Sequence, residues 1–220
     1  MALTFATTSM VAPYLKNANV LSLGYPDLLL TGDQVKEMLG VIPTKFTPHG
    51  GWHGISNTIP ETEEVFSLLG STLDCVDIVA SRGKERILDL NLPHQLGKYD
   101  LVIDAGTTEH CFNIGQAMLN AADAVRVGGR ILHTPPLTML NHGFYCIQPT
   151  MLYDFYVQNG WEIEQMFVMI KGELFSCPET ERFKAPPEAS VCCLAKRTSD
   201  KELKFPVQTK YLKNPMLGAA

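Results

Sequence analysis

The sequence lacks the features of several protein classes. Its 220 residues contain no apolar run that approaches the roughly 20 residues a membrane helix needs. The mildly apolar first residues carry no basic region of the kind that opens a signal peptide. A net charge of −5 gives no electrostatic reason to expect a nucleic-acid partner. We therefore expect a cytoplasmic protein with no nucleic-acid or membrane partner, and the sequence leaves a homodimer open.

Motifs for metals and dinucleotides are also lacking. The six cysteines have no metal-ligand spacing, and neither HExxH nor CxxC occurs. Four histidines could come together only through the fold: His49, His53, His133 and His142. Because their spacing in the sequence does not require a metal, we predict no metal site. No Gly-x-Gly-x-x-Gly follows the first predicted strand, which argues against a dehydrogenase. We expect all six thiols to be reduced, with the neighbours Cys192 and Cys193 on opposite faces of a strand.

What the sequence does contain is an alternation of strand-like and helix-like segments. The predicted strands cover residues 19–24, 73–79, 86–91, 99–104, 130–134, 162–170 and 190–195. The predicted helices cover residues 33–39, 62–69, 113–125 and 149–160. This alternation predicts an α/β fold with a Rossmann-like, doubly wound sheet of seven strands, mostly parallel and ending in an antiparallel hairpin at one edge. We expect one domain over residues 1–197, with an inserted loop at about residues 41–60, and an irregular tail over residues 198–220.

The most informative stretch runs from the fourth to the fifth predicted strand. Residues 99–110 form an apolar strand with a polar tip, and residues 127–135 form a glycine turn and another strand. A helix-patterned segment joins them. This is half of a nucleotide-binding sheet, and such sheets bind ligands outside the carboxyl ends of their strands.

The same stretch resembles the class I S-adenosylmethionine-dependent methyltransferases. The resemblance rests on Tyr99-Asp-Leu-Val-Ile-Asp, then Glu109-His110, then Val127-Gly-Gly-Arg-Ile-Leu, in this order and spacing, and it extends over about residues 19–196. It implies S-adenosyl-L-methionine as the cofactor. It also implies methyl transfer to a hydroxyl or amine of a small-molecule or sugar-type acceptor.

The turn after the first strand departs from that family. Where the family has a glycine-rich turn, this chain retains only Gly24, followed by Tyr25, Pro26 and then leucines. The segment between the first two strands is also longer than usual in the family. A catalytically inactive protein of the same fold, acting as a binding or scaffold module, is therefore the alternative.

The resemblance assigns cofactor contacts to the strand tips. Gly24 would face the methionine end, Asp27 its ammonium group, and Asp77 the ribose hydroxyls, with Asp74 as a competitor for that role. The remaining cofactor candidates are Asp89, Leu90, Asp104, Gly106 and His110. For Glu109-His110, helix capping is an equally good interpretation.

The acceptor side is assigned to histidines and aromatic residues. A hydroxyl or amine must lose a proton on methylation, and an imidazole with a pKa of about 6.5 can take it near neutral pH. His142 is the preferred base, with Tyr145 and His133 as further catalytic candidates. Substrate contacts are expected from the loop residues His49, Trp52 and His53, acting as a lid, and from Asn141.

Overall fold

The computed structural model describes residues 2–50, 58–179 and 181–214. Its helices are α1 (Phe5–Val11), α2 (Gly32–Leu39), α3 (Thr62–Leu68), α4 (Ile114–Asp123), α5 (Pro149–Gln158) and α6 (Thr209–Lys213). Its strands are β1 (Ala2–Leu3), β2 (Asn19–Leu23), β3 (Asp27–Leu28), β4 (Phe46–Pro48), β5 (Thr58–Pro60), β6 (Thr72–Asp77), β7 (Arg86–Ile87), β8 (Tyr99–Asp104), β9 (Val125–His133), β10 (Glu162–Ile170), β11 (Glu173–Ser176) and β12 (Ser190–Lys196). Among these described helices, none is both long and apolar enough to span a membrane.

The main sheet is mixed and has the order β11-β10-β12-β9-β8-β2-β6-β7. The five strands from β7 to β9 run parallel, whereas β12 is antiparallel to both β9 and β10. The chain moves outward from β2 to β6 and β7, then returns to the other side of β2 for β8 and β9. The switch point of this doubly wound sheet, where such folds bind ligands, therefore lies between β2 and β8.

The described residues give this sheet eight strands, not the predicted seven. The additional strand, β11, follows a two-residue turn in which Lys171 (φ 49°) and Gly172 (φ 83°) both adopt the left-handed conformation. Two successive positive φ angles are typical of a type I′ hairpin. The last two predicted strands, β10 and β12, do pair antiparallel. They do not form the edge of the sheet by themselves, because β12 lies between β9 and β10. That edge belongs to β10 and β11.

Two strand boundaries also differ from the prediction. β7 has only two residues, so Asp89 follows the strand instead of lying within it. β9 begins at Val125, well before the predicted residue 130, because Val125 already pairs with β8. The pairing of the two strands is then interrupted around Gly128 and Gly129. A Cβ at Gly129 would lie 2.9 Å from the Asp100 carbonyl oxygen, so the close approach of the two backbones requires glycine there.

Helices cover both faces of the sheet. On one face, α4 and α5 contribute Met118 and Tyr156 to the core, and Cys193 belongs to the same cluster. On the other face, α1 and α3 contribute Met10 and Phe66, together with Cys192. Cys192 and Cys193 therefore point to opposite faces, as predicted. All six cysteines are free, and five of them are buried.

The inserted loop and the tail have more structure than predicted. Within residues 41–60, β4 and β5 pair antiparallel, with Phe46 opposite Pro60. In the tail, Lys204, Val207 and Thr209 hydrogen-bond to α5 and the residue that caps it, and α6 follows. The tail is helical at Thr209–Lys213, where an irregular segment was predicted, and residues 204–208 have no regular secondary structure.

Candidate functional site

The tips of three parallel strands are held together at the switch point. Gly24 follows β2 with φ 77°, a conformation that favours glycine, and its N–H donates to the Val76 carbonyl of β6 at 2.6 Å. From the turn after β8, the Thr107 hydroxyl donates to the Leu23 carbonyl at 2.6 Å. The end of the sheet where a ligand is expected therefore has a fixed backbone arrangement.

Behind this end lies a buried network around Asp104, the last residue of β8. Its carboxylate accepts hydrogen bonds from Nδ1 of His133 (2.6 Å), the Thr108 hydroxyl (2.7 Å) and the Thr107 amide (3.0 Å). Nε2 of His133 accepts from the Tyr156 hydroxyl at 2.5 Å. Both ring nitrogens of His133 are thus used, and its side chain is 1% exposed. The network joins β8, β9 and α5 and does not bring His133 to a surface that an acceptor could reach.

The charges of this network follow from its contacts. Burial by itself would raise the pKa of Asp104, but the hydrogen bonds from His133, Thr108 and Thr107 hold that pKa below its ordinary value. Burial raises the pKa of Tyr156 well above its ordinary value. Asp104 is therefore an anion and Tyr156 a neutral hydrogen-bond donor at neutral pH.

Glu109 is a second acid close to Asp104, and it lacks such partners. It lies in a short 3-10 turn, Thr108–His110, with its side chain fully buried. Within the described residues, neither carboxyl oxygen has a hydrogen-bond partner. Burial, together with the negative charge of Asp104, raises the pKa of Glu109 to about 8. A buried polar group in this state requires an explanation.

Two imidazoles meet above Glu109. Nε2 of His142 lies 3.6 Å from Oε1 of Glu109, and Nε2 of His110 lies 3.9 Å from the same oxygen. The two rings are tilted, with their centroids 5.3 Å apart. About half of each imidazole side chain is exposed. The predicted base His142 and the predicted cofactor contact His110 therefore lie side by side, with the buried carboxyl group beneath them.

The loop that carries His142 is packed closely on the Glu109 turn. The Phe144 amide donates to the Glu109 carbonyl at 2.9 Å. A Cβ at Gly143 would lie 2.9 Å from that carbonyl oxygen and 3.1 Å from Nδ1 of His110. Only glycine permits this approach without displacement, so the sequence Asn-His-Gly-Phe keeps His142 beside His110.

Three of the predicted acidic cofactor contacts make local interactions. Asp27 pairs with Arg82 at 2.5 Å. Oδ1 of Asp77 accepts from the Ile78 and Val79 amides, at 2.6 and 3.2 Å, which leaves Oδ2 outside these bonds. Oδ1 of Asp89 accepts from the amide and side chain of Asn91, while the competitor Asp74 accepts from the Tyr99 hydroxyl at 2.7 Å.

The other predicted contacts are distributed around the same end of the sheet. Gly106 has φ 100°, and a Cβ there would lie 3.1 Å from Oε1 of Glu109. Asn141 is exposed with φ 62°, and Tyr145 donates its hydroxyl to the Phe112 carbonyl at 2.8 Å. Leu90 is buried.

The inserted loop is only partly described. His49 follows β4 and is half-buried. Trp52 and His53 lie outside the described residues, so their role as a lid stays a prediction.

Glu109 was not among the site residues that the sequence predicted. Its position before a helix suggested simple capping, but the 3-10 turn buries the side chain away from the N-terminus of α4, which Asn113 caps. A signal was present in the two His-containing segments, Glu109-His110 and Asn141-His142-Gly143, because both follow strands whose carboxyl ends lie together. Their contact depends on Gly143, which no periodicity reveals.

No family model matches the sequence, and neither does any curated protein. Solved structures match it at low identity. One is the 1,6-didemethyltoxoflavin-N1-methyltransferase of Burkholderia thailandensis, with its substrate and S-adenosylhomocysteine bound. It is 14% identical, with a TM-score of 0.49 over 88% of this chain and 77% of that one.

Two further matches have similar scores. TehB from Haemophilus influenzae is 16% identical, with a TM-score of 0.48 over 82% of this chain and 57% of that one. A protein from Galdieria sulphuraria, provisionally assigned as a sarcosine dimethylglycine methyltransferase, is 12% identical. Its TM-score is 0.46 over 90% of this chain and 84% of that one. Identities this low concern the fold alone. The assignment of a doubly wound α/β fold rests on the strand order of the chain itself.

Proposed function

We propose that the protein transfers a methyl group from S-adenosyl-L-methionine to a hydroxyl or amine of a small-molecule or sugar-type acceptor. The observation that supports this proposal is the arrangement of residues at the carboxyl ends of the parallel strands. There the switch point between β2 and β8 lies close to a pair of accessible histidines and a buried acid. The motif resemblance covers the same residues. The proposal combines a place for a nucleotide-type cofactor with groups that can handle an acceptor's proton.

The strand tips fit the cofactor in part. Gly24 and Gly106 have positive φ angles and no side chains, so a ligand could approach their backbone closely. Oδ2 of Asp77 is available to a ribose hydroxyl, while Asp89 and Leu90 remain the proposed neighbours of the adenine. Asp104 acts from behind, because its oxygens are used by the buried network. Asp27 fits least, since Arg82 already neutralises it.

The chain's own residues would position the acceptor and take its proton. When bound, the cofactor supplies a sulfonium methyl group that is already activated for displacement. Nε2 of the exposed His142 would accept the proton of a hydroxyl or amine, and Tyr145 and Asn141 would contact the acceptor. His49, Trp52 and His53 would cover it from the inserted loop. Holding the two reactants in line can contribute several kcal/mol to lowering the barrier.

Cofactor binding is tested by calorimetry with S-adenosylmethionine and S-adenosylhomocysteine. Asp77→Asn should weaken binding about 10- to 100-fold, because hydrogen bonds to a charged group contribute about 1.5–3 kcal/mol. Asp74→Asn is the matched control on the same strand, since the Tyr99 hydroxyl already occupies that carboxylate. Equal effects of the two substitutions would remove Asp77 from the site.

A non-catalytic binding or scaffold protein is the second candidate. Two observations favour it: Asp27 is paired with Arg82, and Tyr25 is buried at the turn where the family has glycines. The absence of both binding heat and a thermal shift, with S-adenosylmethionine and with S-adenosylhomocysteine, would support this second function. Turnover that is lost in His142→Ala, with cofactor affinity unchanged, would support the methyltransferase. Wild-type turnover in that variant would exclude His142 as the base.

A further inference from the structure

Among the described residues, Glu109 is a buried carboxyl group without a hydrogen-bond partner. Glu109 has no exposed side-chain surface, and both of its oxygens lack hydrogen-bond partners within the described residues. Leaving such a group unsatisfied is costly in free energy, and burying its anion without a counter-charge costs more. The carboxylate of neighbouring Asp104, by contrast, has four donors. The difference indicates that Glu109 is complemented by a group that the described hydrogen-bond donors do not provide.

The atoms nearest to Glu109 are metal-ligand atoms. Nε2 of His142 and Nε2 of His110 approach the same oxygen, Oε1, at 3.6 and 3.9 Å. One ligating atom from each of the three residues lies within 4.8 Å of the others, and no other such group occurs in the described parts of the chain. Tetrahedral zinc with bonds of about 2.0–2.2 Å would hold its ligand atoms roughly 3.3–3.6 Å apart. Small side-chain rotations would close the remaining gap.

We propose that Glu109, His110 and His142 bind a single Zn²⁺ ion that keeps at least one coordination position open to solvent. Two imidazoles and one carboxylate are a ligand set of three-ligand zinc sites, in which water or substrate takes the fourth position. Mg²⁺ and Ca²⁺ prefer oxygen ligands throughout, so the two histidines disfavour them. The exposure of both imidazoles gives the ion access and leaves its outer side open.

The surrounding backbone holds the three ligands in place. The His110 amide donates to the Thr107 carbonyl at 3.0 Å, which closes the short turn that carries Glu109 and His110. The Phe144 amide donates to the Glu109 carbonyl at 2.9 Å, and Gly143 packs against Glu109 and His110. The two segments are thus joined next to the proposed ion. A site whose ligands come from two fixed segments loses little freedom when it binds metal.

The zinc site does not depend on methyl transfer, and it predicts metal binding in either case. Only its role in turnover rests on the proposed function. With zinc bound, Nε2 of His142 would be a ligand and would not act as the base. The ion would instead lower the pKa of an acceptor hydroxyl bound at the open position, and that hydroxyl would lose its proton to solvent. Chelation would then lower turnover without changing the affinity for S-adenosylhomocysteine.

The experiment is a calorimetric titration of the full chain with Zn²⁺ in a non-chelating buffer. We expect one equivalent to bind. Glu109→Gln, His110→Ala and His142→Ala should each weaken binding at least tenfold, because even partners behind the ligands contribute 10- to 100-fold. Glu109→Gln keeps the side-chain volume, and the two histidines are exposed, so circular dichroism should show intact folds. A rise of the melting temperature with Zn²⁺, absent in these variants, is a second readout.

Two matched controls separate this site from adventitious binding. His94→Ala removes a histidine that bonds the Asp89 carbonyl, away from the cluster, and should leave affinity unchanged. Cys146→Ser removes the one thiol that is not buried, and should also have no effect. With Co²⁺ in place of zinc, d–d bands should appear without a thiolate charge-transfer band. No binding by the wild type, or variants that bind as tightly as it does, would overturn the proposal.

Discussion

At the scale of single residues, Gly143 is the position where one added carbon atom should disturb the site most directly. In Gly143→Ala, the Cβ would lie 2.9 Å from the Glu109 carbonyl oxygen and 3.1 Å from both Cγ of Glu109 and Nδ1 of His110. The loop must therefore move away from the Glu109 turn. We expect urea denaturation to show a loss of about 1–3 kcal/mol in the free energy of unfolding, as for other overpacked sites.

Gly32→Ala is the control for that substitution. Gly32 opens α2, and an added Cβ would approach only the Phe46 ring at 3.3 Å and the Pro43 ring at 3.7 Å. Alanine is the better helix former, so stability should not fall. If Gly143→Ala were as stable as Gly32→Ala, the close packing of the two His-containing segments would be contradicted.

Glu85 provides a prediction of pH dependence outside the site. Burial alone would raise its pKa, but hydrogen bonds from the Ser81 hydroxyl and the Arg82 and Lys84 amides lower that pKa to about 2. A carboxylate with a lowered folded pKa adds stability above its unfolded pKa of about 4.3, and that stability is lost as pH falls toward the folded value. Glu85→Gln should therefore cost about 1–2 kcal/mol at pH 7, from the loss of charge-assisted hydrogen bonds.

Unfolding measured from pH 7 to pH 2.5 checks this prediction. The stability difference between wild type and Glu85→Gln should shrink steadily below about pH 4.3. Glu63→Gln is the control, because its ion pair with Lys84 at 3.0 Å is exposed and should contribute less than about 1 kcal/mol. A difference that is the same at every pH would mean that the Glu85 charge adds nothing.

At this scale the sequence predicted residue types better than residue roles. It identified His142 and His110, which the structure brings together. It also proposed His133, which the fold instead buries between Asp104 and Tyr156. Strand alternation indicates which face of the sheet a side chain takes. It does not show that the Tyr156 hydroxyl, from α5, will bond to the second ring nitrogen of His133.

At the scale of elements, prediction succeeded where local periodicity decides the structure. β8 has its predicted bounds because an apolar run in a central strand gives a continuous signal. α2 begins at Gly32, one residue before its predicted start, with a capping box between Thr31 and Gln34. Prediction failed where pairing with a distant segment decides. The irregular pairing of β9 near Gly129 and the short edge strand β11 depend on neighbours that the local sequence does not specify.

The β10–β11 turn allows a test of one of these missed elements. Gly172 has φ 83° and no atom within 4 Å of an added Cβ, so Gly172→Ala should be penalised only by the backbone conformation, by about 1–2 kcal/mol. Because β11 lies at an edge, the effect should appear as faster amide hydrogen exchange in β10 and β11, with little change elsewhere. Lys171→Asn is the control, since asparagine tolerates φ 49° and should leave exchange unchanged or slower. Unchanged exchange in Gly172→Ala would contradict the type I′ turn.

At the scale of the whole molecule, the alternation of elements predicted the α/β architecture, and His110 and His142 follow the carboxyl ends of β8 and β9. The order of the strands could be determined only from the structure, because β12 inserts between β9 and β10. The sequence also did not predict that the tail is part of the folded unit. Asn159, which is 4% exposed, donates to the Lys204 carbonyl and accepts from its amide, at 2.9 and 2.8 Å. Gln158 makes the same pair of bonds with Val207, at 2.6 and 3.0 Å.

These contacts predict the effect of shortening the chain. Removing residues 200–220 breaks the four amide bonds above and the two bonds by which the Thr209 amide and hydroxyl reach Asp154, itself 3% exposed. Each bond contributes about 1 kcal/mol, but the order that the tail loses on folding offsets much of this, so the net loss should be about 1–3 kcal/mol. Removing only residues 215–220 keeps all six bonds and is the matched control. The six bonds of the tail end on Asp154, Gln158 and Asn159 and not on the proposed zinc ligands, so zinc affinity should be the same in both truncations. If the longer truncation lost zinc binding while remaining folded, the tail and the site would be coupled. If the longer truncation unfolded at the same urea concentrations as the full chain, residues 204–213 would contribute nothing to stability, despite their bonds to α5.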